Sequence, residues 1–173
     1  MIDHVKKVLA DPKRVCPAYD PAAGYEIAGF VWFQGWNDMC DGHTYPKRNE
    51  AGGYDEYSVL MAHFIRDVRK DLSAPKMPFV IGVMGVGGAD ATGGVAMIRP
   101  AMAAAASMPE FKGNVAAGQT APFWDKPLAE IEKKFGKPKK IAYYVKRGNV
   151  PAKVVQRNYP VAYEMRKEYW DAP

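Results

Sequence analysis

Serine and histidine are scarce in this 173-residue chain. Serine occurs only as Ser58, Ser73 and Ser107, and histidine only as His4, His43 and His63. The serines fall in or beside segments of helical pattern, and no histidine follows His63. A serine and histidine pair at a strand end, the arrangement that acyl transfer uses, therefore has no obvious candidate. Cysteine is almost absent. Cys16 and Cys40 cannot build a disulfide framework, and their flanks lack a CxxC or a histidine at metal-ligand spacing. Both read as free thiols, with a single bond between them as the alternative. No apolar run approaches the length of a membrane span. The first residues, Ile2 to Lys7, open into a helical pattern, not an apolar leader with a small-residue cleavage site. A cytoplasmic protein, or one whose N-terminus lies upstream, fits that start.

What is present suits an ordinary globular domain: 48% apolar and 25% charged residues, with enough length for one real core. The net charge of +5 is uneven. From Lys133 to Pro173 eleven Lys and Arg face three acidic residues, a net +8 that leaves −3 for the rest. A basic tail suits nucleic acid or acidic partners. It carries no nucleic-acid motif, so a solvated helical face is the expectation, with no nucleic-acid partner.

Hydrophobic periodicity divides the chain. Residues 2–10 read as a short helix with Val5, Val8 and Leu9 on one face, and Pro12, Pro17 and Pro21 then break regular structure. Residues 28–33, AGFVWF, read as a buried central strand. Trp36 to Gly53 read as a polar loop. Residues 54–72 carry Tyr57, Leu60, Met61, Phe64, Ile65, Val68 and Leu72 at helical spacing. A second strand is expected at 79–84 and a glycine-rich loop at 85–94. A helix follows from about 95 to 107, with Pro100 tolerable only near its first turn. A weaker strand at 114–120 is followed by a helix at 127–135, with Leu128, Ile131 and Phe135 on one face. One or two more helices are expected beyond Gly136, the last near 162–170. Strands alternating with amphipathic helices predict a parallel sheet covered on both faces, with ligands bound beyond the C-terminal strand ends. That rule places Gln34 to Asp38, the Gly85 loop and Gln119 to Trp124 on one rim.

The segment richest in chemistry is Gly29 to Asp38, GFVWFQGWND. The strand ends at Gln34, and Gly35 permits a sharp turn or close backbone approach. Gln34 and Asn37 can project uncharged amide donors, suited to a developing oxyanion. Asp38 can fix the Asn37 amide or cap the loop. Asp41, Gly42 and His43 read as surface loop in preference to an acid–histidine or metal site. Trp32 and Phe33 are expected in the core. Trp36 is placed to stack on a sugar ring, with loop packing as the equal alternative. Trp124 either lines the pocket or closes the core.

Gly35-Trp36-Asn37-Asp38 matches the GxND block of SGNH hydrolases, and Trp32-Phe33-Gln34-Gly35 resembles the strand end of sialate O-acetylesterases and related carbohydrate esterases. The chain is most similar to a bacterial branch of that group. The shared blocks are GFVWFQGWND at 29–38, YP at 45–46, HFIRDVRKDL at 63–72 and PFVIGVMGVGG at 78–88. The resemblance runs from about residue 2 to about 135. It implies a flavodoxin-like three-layer α/β sandwich, with 1–135 as the C-terminal portion of an esterase domain and 136–173 as a basic helical tail. The implied reaction is hydrolysis of O-acetyl esters on carbohydrates by a serine nucleophile, without metal or other cofactor. It implies Asn37 as oxyanion donor, with Gln34 and Gly35 in the same pocket, and substrate contacts from Trp36 and Arg99.

Three departures qualify this. The family helix carries a glutamine three residues after the arginine, where this chain has Met102. Its nucleophile lies in an early G-Q-S-N-type block, and its histidine in a C-terminal DxxH or Y-H-Y segment. Neither block is present, and Ile141-Ala142-Tyr143-Tyr144 lacks an imidazole. The expectation is part of a longer product, lacking the N-terminal strand block and C-terminal His segment. A missing segment or a partner chain would then supply them, and a degenerate relative is the alternative. Relatives are commonly exported, which leaves localisation open. Two rival readings are a non-catalytic carbohydrate-binding relative and a nucleotide-binding flavodoxin-like domain. The Gly85 to Gly94 loop tempts one toward the second, but lacks both the P-loop ending and GxGxxG spacing.

Overall fold

A computed structural model describes residues 1–130 and, beyond them, Ile141, Tyr143, Arg147, Gly148, 151–158 and Pro160. The chain forms two compact units, Met1–Trp124 and Asp125–Pro173. The expected boundary at 135, the end of the 127–135 helix and the helix near 162–170 lie outside the described residues. In the second unit, 126–130 is helical and Ala152–Asn158 forms another helix. Leu128 on the first of these is exposed.

The first unit is α/β. In chain order its elements are α1 (Ile2–Ala10), β1 (Phe30–Trp32), α2 (Trp36–Cys40), α3 (Asp55–Asp71), β2 (Phe79–Val83), α4 (Gly93–Ala103) and β3 (Val115–Gln119). The strands form a parallel sheet in the order β1-β2-β3, with Phe30 beside Phe79 and Phe79 beside Val115. Each crossover runs through one helix, α3 and then α4. Parallel crossovers are right-handed, so two steps in the same direction lay both helices on the same face. That face holds the core: Ile65, Ile81, Ile98, Met102 and Val83 are fully buried. Each such side chain contributes about 1.5–3 kcal/mol relative to exposure. Phe30, Trp32, Phe64 and Phe79 form an aromatic group at its β1 end, with the Trp32 and Phe64 rings 4.6 Å apart.

The opposite face is bare among the described residues. Val31 is 73% exposed and Phe33 64%, and Val80 and Ala116 are exposed too. β1 was expected to be central and buried on both sides. Among the described residues it lies at the edge of the sheet, half-buried on the helix side only. Phe33, expected in the core, lies on the open face with its ring over Gly82 of β2, where no side chain stands in the way.

Two local expectations also change. α2 replaces part of the expected polar loop. Pro100 lies in the eighth position of α4, not its first turn, and a 3-10 turn, Ala104–Ser107, continues that helix. α3 follows its sequence pattern, with Tyr57, Met61, Ile65 and Val68 buried. Its last turn is locked by buried Arg69. That guanidinium donates to the Met77 carbonyl at 2.8 and 3.1 Å and to the Asn114 side-chain oxygen at 2.9 Å. The start of β2 and the start of β3 are thereby tied to one side chain. No helix among the described residues is long and apolar enough to cross a membrane.

Candidate active site

Because the strands are parallel, Gln34 to Asp38, the Gly85 loop and Thr120 to Trp124 leave the sheet at the same end. Contacts join the second and third: Gly85 leaves no room for a side chain beside Thr120, and Gly88 lies against Trp124. The Thr120 hydroxyl donates to the Val83 carbonyl at 2.7 Å, holding β3's end to β2's.

At the end of β1, Gly35 is buried and starts α2. A side chain there would come within 3.1–3.2 Å of the Met102 thioether. Met102, at the position where the resemblance implies a glutamine, thus packs beneath the turn. Asn37 and Trp36 are exposed on α2, Trp36 by 52%. The Asn37 amide has no protein partner among the described residues. Gln34 is placed differently. Its amide Nε2 donates to the Asp38 carboxylate at 2.7 Å, and its backbone carbonyl accepts from the Tyr57 hydroxyl at 2.8 Å. Asp38 therefore holds Gln34, not Asn37.

Gln34 and Asp38 line a cavity of about 150 Å³ with Trp32, Tyr45, Tyr57, Leu60, Met61 and Phe64. The field inside is negative. Burial, and after it the Asp38 carboxylate, pushes the Tyr45 and Tyr57 hydroxyls up to about 12. Tyr45 and Tyr57 were not marked as site residues. Tyr57 was legible only as one apolar position on α3, and Tyr45 as a loop-fixing residue. Tyr45 is indeed buried against Tyr54, whose hydroxyl donates to the Met39 carbonyl at 3.1 Å.

Arg99 points at the glycine loop. Its Nε, Nη1 and Nη2 donate to the carbonyls of Met84, Gly88 and Val86 at 2.7, 2.9 and 2.8 Å. Gly87 and Gly88 both take left-handed backbone, φ +80° and +64°, which lets the loop fold its carbonyls onto one guanidinium. Arg99 and Met102, one turn apart on α4, therefore brace two segments of the rim from below.

The serine hydroxyls and the histidines have other surroundings. Ser58 donates to the Ala101 carbonyl between α3 and α4. Ser73 and Ser107 follow the C-terminal ends of α3 and α4, at the opposite end of the sheet from Asn37. His63 is exposed on α3, beside Arg66. His43 sits in a tight turn whose hydrogen bonds occupy Asp41: its carboxylate accepts from the backbone N–H groups of His43 and Thr44 and from the Thr44 hydroxyl at 2.6 Å. These bonds, the Thr44 hydroxyl's foremost, hold the Asp41 carboxyl below the usual range.

Residues 12–121 match the family model described as carbohydrate esterase, sialic acid-specific acetylesterase. That span contains all three strands, the Gln34 to Asp38 turn and the Arg99-braced loop. No match was found among curated proteins or among solved structures. With well over half its length inside that match, the chain belongs to the sialic acid-specific acetylesterase family of carbohydrate esterases.

Proposed function

We propose that this chain carries the oxyanion-binding portion of a carbohydrate O-acetylesterase site, and that the serine nucleophile and the histidine base come from polypeptide outside these residues. The observation that supports this reading most directly is Asn37. Its amide is exposed and unpaired at the C-terminal end of the sheet, while Ser58 is bonded to the Ala101 carbonyl and Ser73 and Ser107 lie at the opposite end. Asn37 donates to the oxygen on which negative charge gathers as an acetyl carbonyl is attacked. Gly35 sets the turn that presents it. Gln34 joins only by releasing Asp38, so its part is to hold the turn until ligand arrives. Trp36 offers an exposed indole face to a sugar ring. Arg99 shapes the substrate side of the rim through the loop carbonyls it gathers.

A chain with the donor but no nucleophile lowers no barrier by this route. The test is hydrolysis of p-nitrophenyl acetate by the purified chain and by Asn37→Ala, with folding checked by circular dichroism. The expected result is no turnover above background for either. Clear turnover that collapses in Asn37→Ala would sink the proposal, because a nucleophile would then be completing the site within the chain. A second reading, a carbohydrate-binding relative without catalysis, draws on the exposure of Trp36. Saturable binding of an acetylated sugar, lost in Trp36→Ala and unaccompanied by turnover, would favour it.

A further inference from the structure

We infer, from the reading of Asn37 as oxyanion donor, that Arg48 and Tyr54 are positioning residues for it: reaching from one loop, they hold the last two carbonyls of α2 and so fix the helix that presents Asn37. α2 has only the residues Trp36–Cys40. A helix that short is not stable by itself, so its geometry comes from what grips it. The last carbonyls of a helix have no partner within it and need donors from outside. Here they have them. The Tyr54 hydroxyl donates to the Met39 carbonyl at 3.1 Å, and Arg48 Nη1 donates to the Cys40 carbonyl at 3.1 Å. A cationic side chain on the last carbonyls is a favourable way to close a helix.

The loop that supplies both donors is itself tied. The Arg48 N–H donates to the Tyr45 carbonyl, the Glu50 N–H to that of Lys47 and the Gly53 N–H to that of Glu50. Gly53 lies so close to the Lys47 carbonyl that no side chain fits there, and a Cβ on Gly42 would displace the Arg48 guanidinium. Tyr54 is 1% exposed, with its ring 5.0 Å from that of buried Tyr45, and it leads directly into α3. α4 completes the grip. A Cβ on Gly94, in its first turn, would stand 3.2 Å from the Tyr54 hydroxyl and 3.6 Å from the Met39 carbonyl. With Met102 under Gly35, α2 is held at its start by one end of α4 and at its finish by the other. Asn37 lies between the two, and a donor fixed before charge develops is what oxyanion stabilisation requires.

Amide hydrogen exchange and NMR relaxation of the 173-residue chain test this. The Met39 and Asp41 amides, bonded back to the Gly35 and Asn37 carbonyls, report on α2. In Arg48→Met they should exchange about tenfold faster or more. The Asn37 backbone order parameter should fall from about 0.85 toward about 0.6. Tyr54→Phe keeps the ring and should quicken the same exchange by a few-fold. Arg48→Lys keeps a charged donor for the single bond to Cys40 and should restore most of the parent's values. A residue that served only overall stability would lower the urea midpoint and leave Asn37 as rigid as before in the folded chain. Arg66→Met, which removes the ion pair to Glu110, is the control and should leave α2 unchanged. Hydrolysis of p-nitrophenyl acetate decides the role of Asn37 separately, so the brace and the donor can fail independently. Unchanged order and exchange in both Arg48→Met and Tyr54→Phe, or an equal loosening of α2 in Arg66→Met, overturns the inference.

Discussion

Met102 and Gly35 form a small interlocking pair. The methionine is fully buried, and its flexible end lies 3.1–3.2 Å from where a Cβ on Gly35 would stand. Gly35→Ala therefore forces the thioether to move, and overpacking of this kind costs about 1–3 kcal/mol. Met102→Ala alone removes buried volume and costs about 2–5 kcal/mol. In the double variant the new methyl enters space that the methionine has left. The combined loss should fall short of the sum by about 1 kcal/mol, measured by urea denaturation of the four proteins. Strict additivity would mean that the two residues do not share the contact. The sequence marks Met102 only as a departure from the family's glutamine. Its reason lies in tertiary contact with a turn some 65 positions earlier, which no local pattern encodes. Asp38 shows the same limit. Its neighbourhood to Asn37 suggested that it fixes that amide, but the helical turn of α2 brings it back, four positions along, to Gln34.

At the scale of elements, Arg99 is to the glycine loop what a cross-brace is to an arch. Three neutral carbonyls converge on one planar fork, a geometry that a lysine cannot reproduce. Arg99→Met should release the loop, and amide exchange over residues 86–90 should quicken about tenfold or more, while β2 amides keep their protection. Arg99→Lys should recover little of this. Unchanged exchange in Arg99→Met would show that the loop is held by its own backbone. The elements themselves divide by how much their pattern says. α3 was legible because its apolar residues keep the helical period over seventeen residues, and β2 because it is a short continuous apolar run between Pro78 and a glycine-rich loop. α2 was not, since its five residues carry Asn and Asp, which favour turns as readily as short helices. β1 was legible as a strand, but not as the outermost strand among the described residues. A continuous apolar run reads the same whether both faces are covered or one is bare, and only the strand order decides it. In this unit the order steps one way, so both crossover helices fall on one face.

For the molecule as a whole, alkaline pH should be more damaging than its basic composition suggests. Tyr45 and Tyr57 are both buried, and burial first, then the Asp38 carboxylate, raises each hydroxyl to about 12. In the unfolded chain the same groups ionise near 10. Between these values the unfolded state has lost protons that the folded state retains. The stability contributed by the neutral tyrosines is therefore fully present below about pH 10 and drains away as pH rises toward 12. Urea midpoints measured across that window should fall steeply. Tyr45→Phe and Tyr57→Phe cannot titrate, so the double variant should start lower, having lost the bond to the Gln34 carbonyl, yet decline less steeply. Slope, not height, separates the two effects. A double variant that declines as fast as the parent would place the alkaline weakness elsewhere. A flattened slope would tie it to the cavity beside β1, where one carboxylate and two phenols share a space with no cation among the described residues that line it.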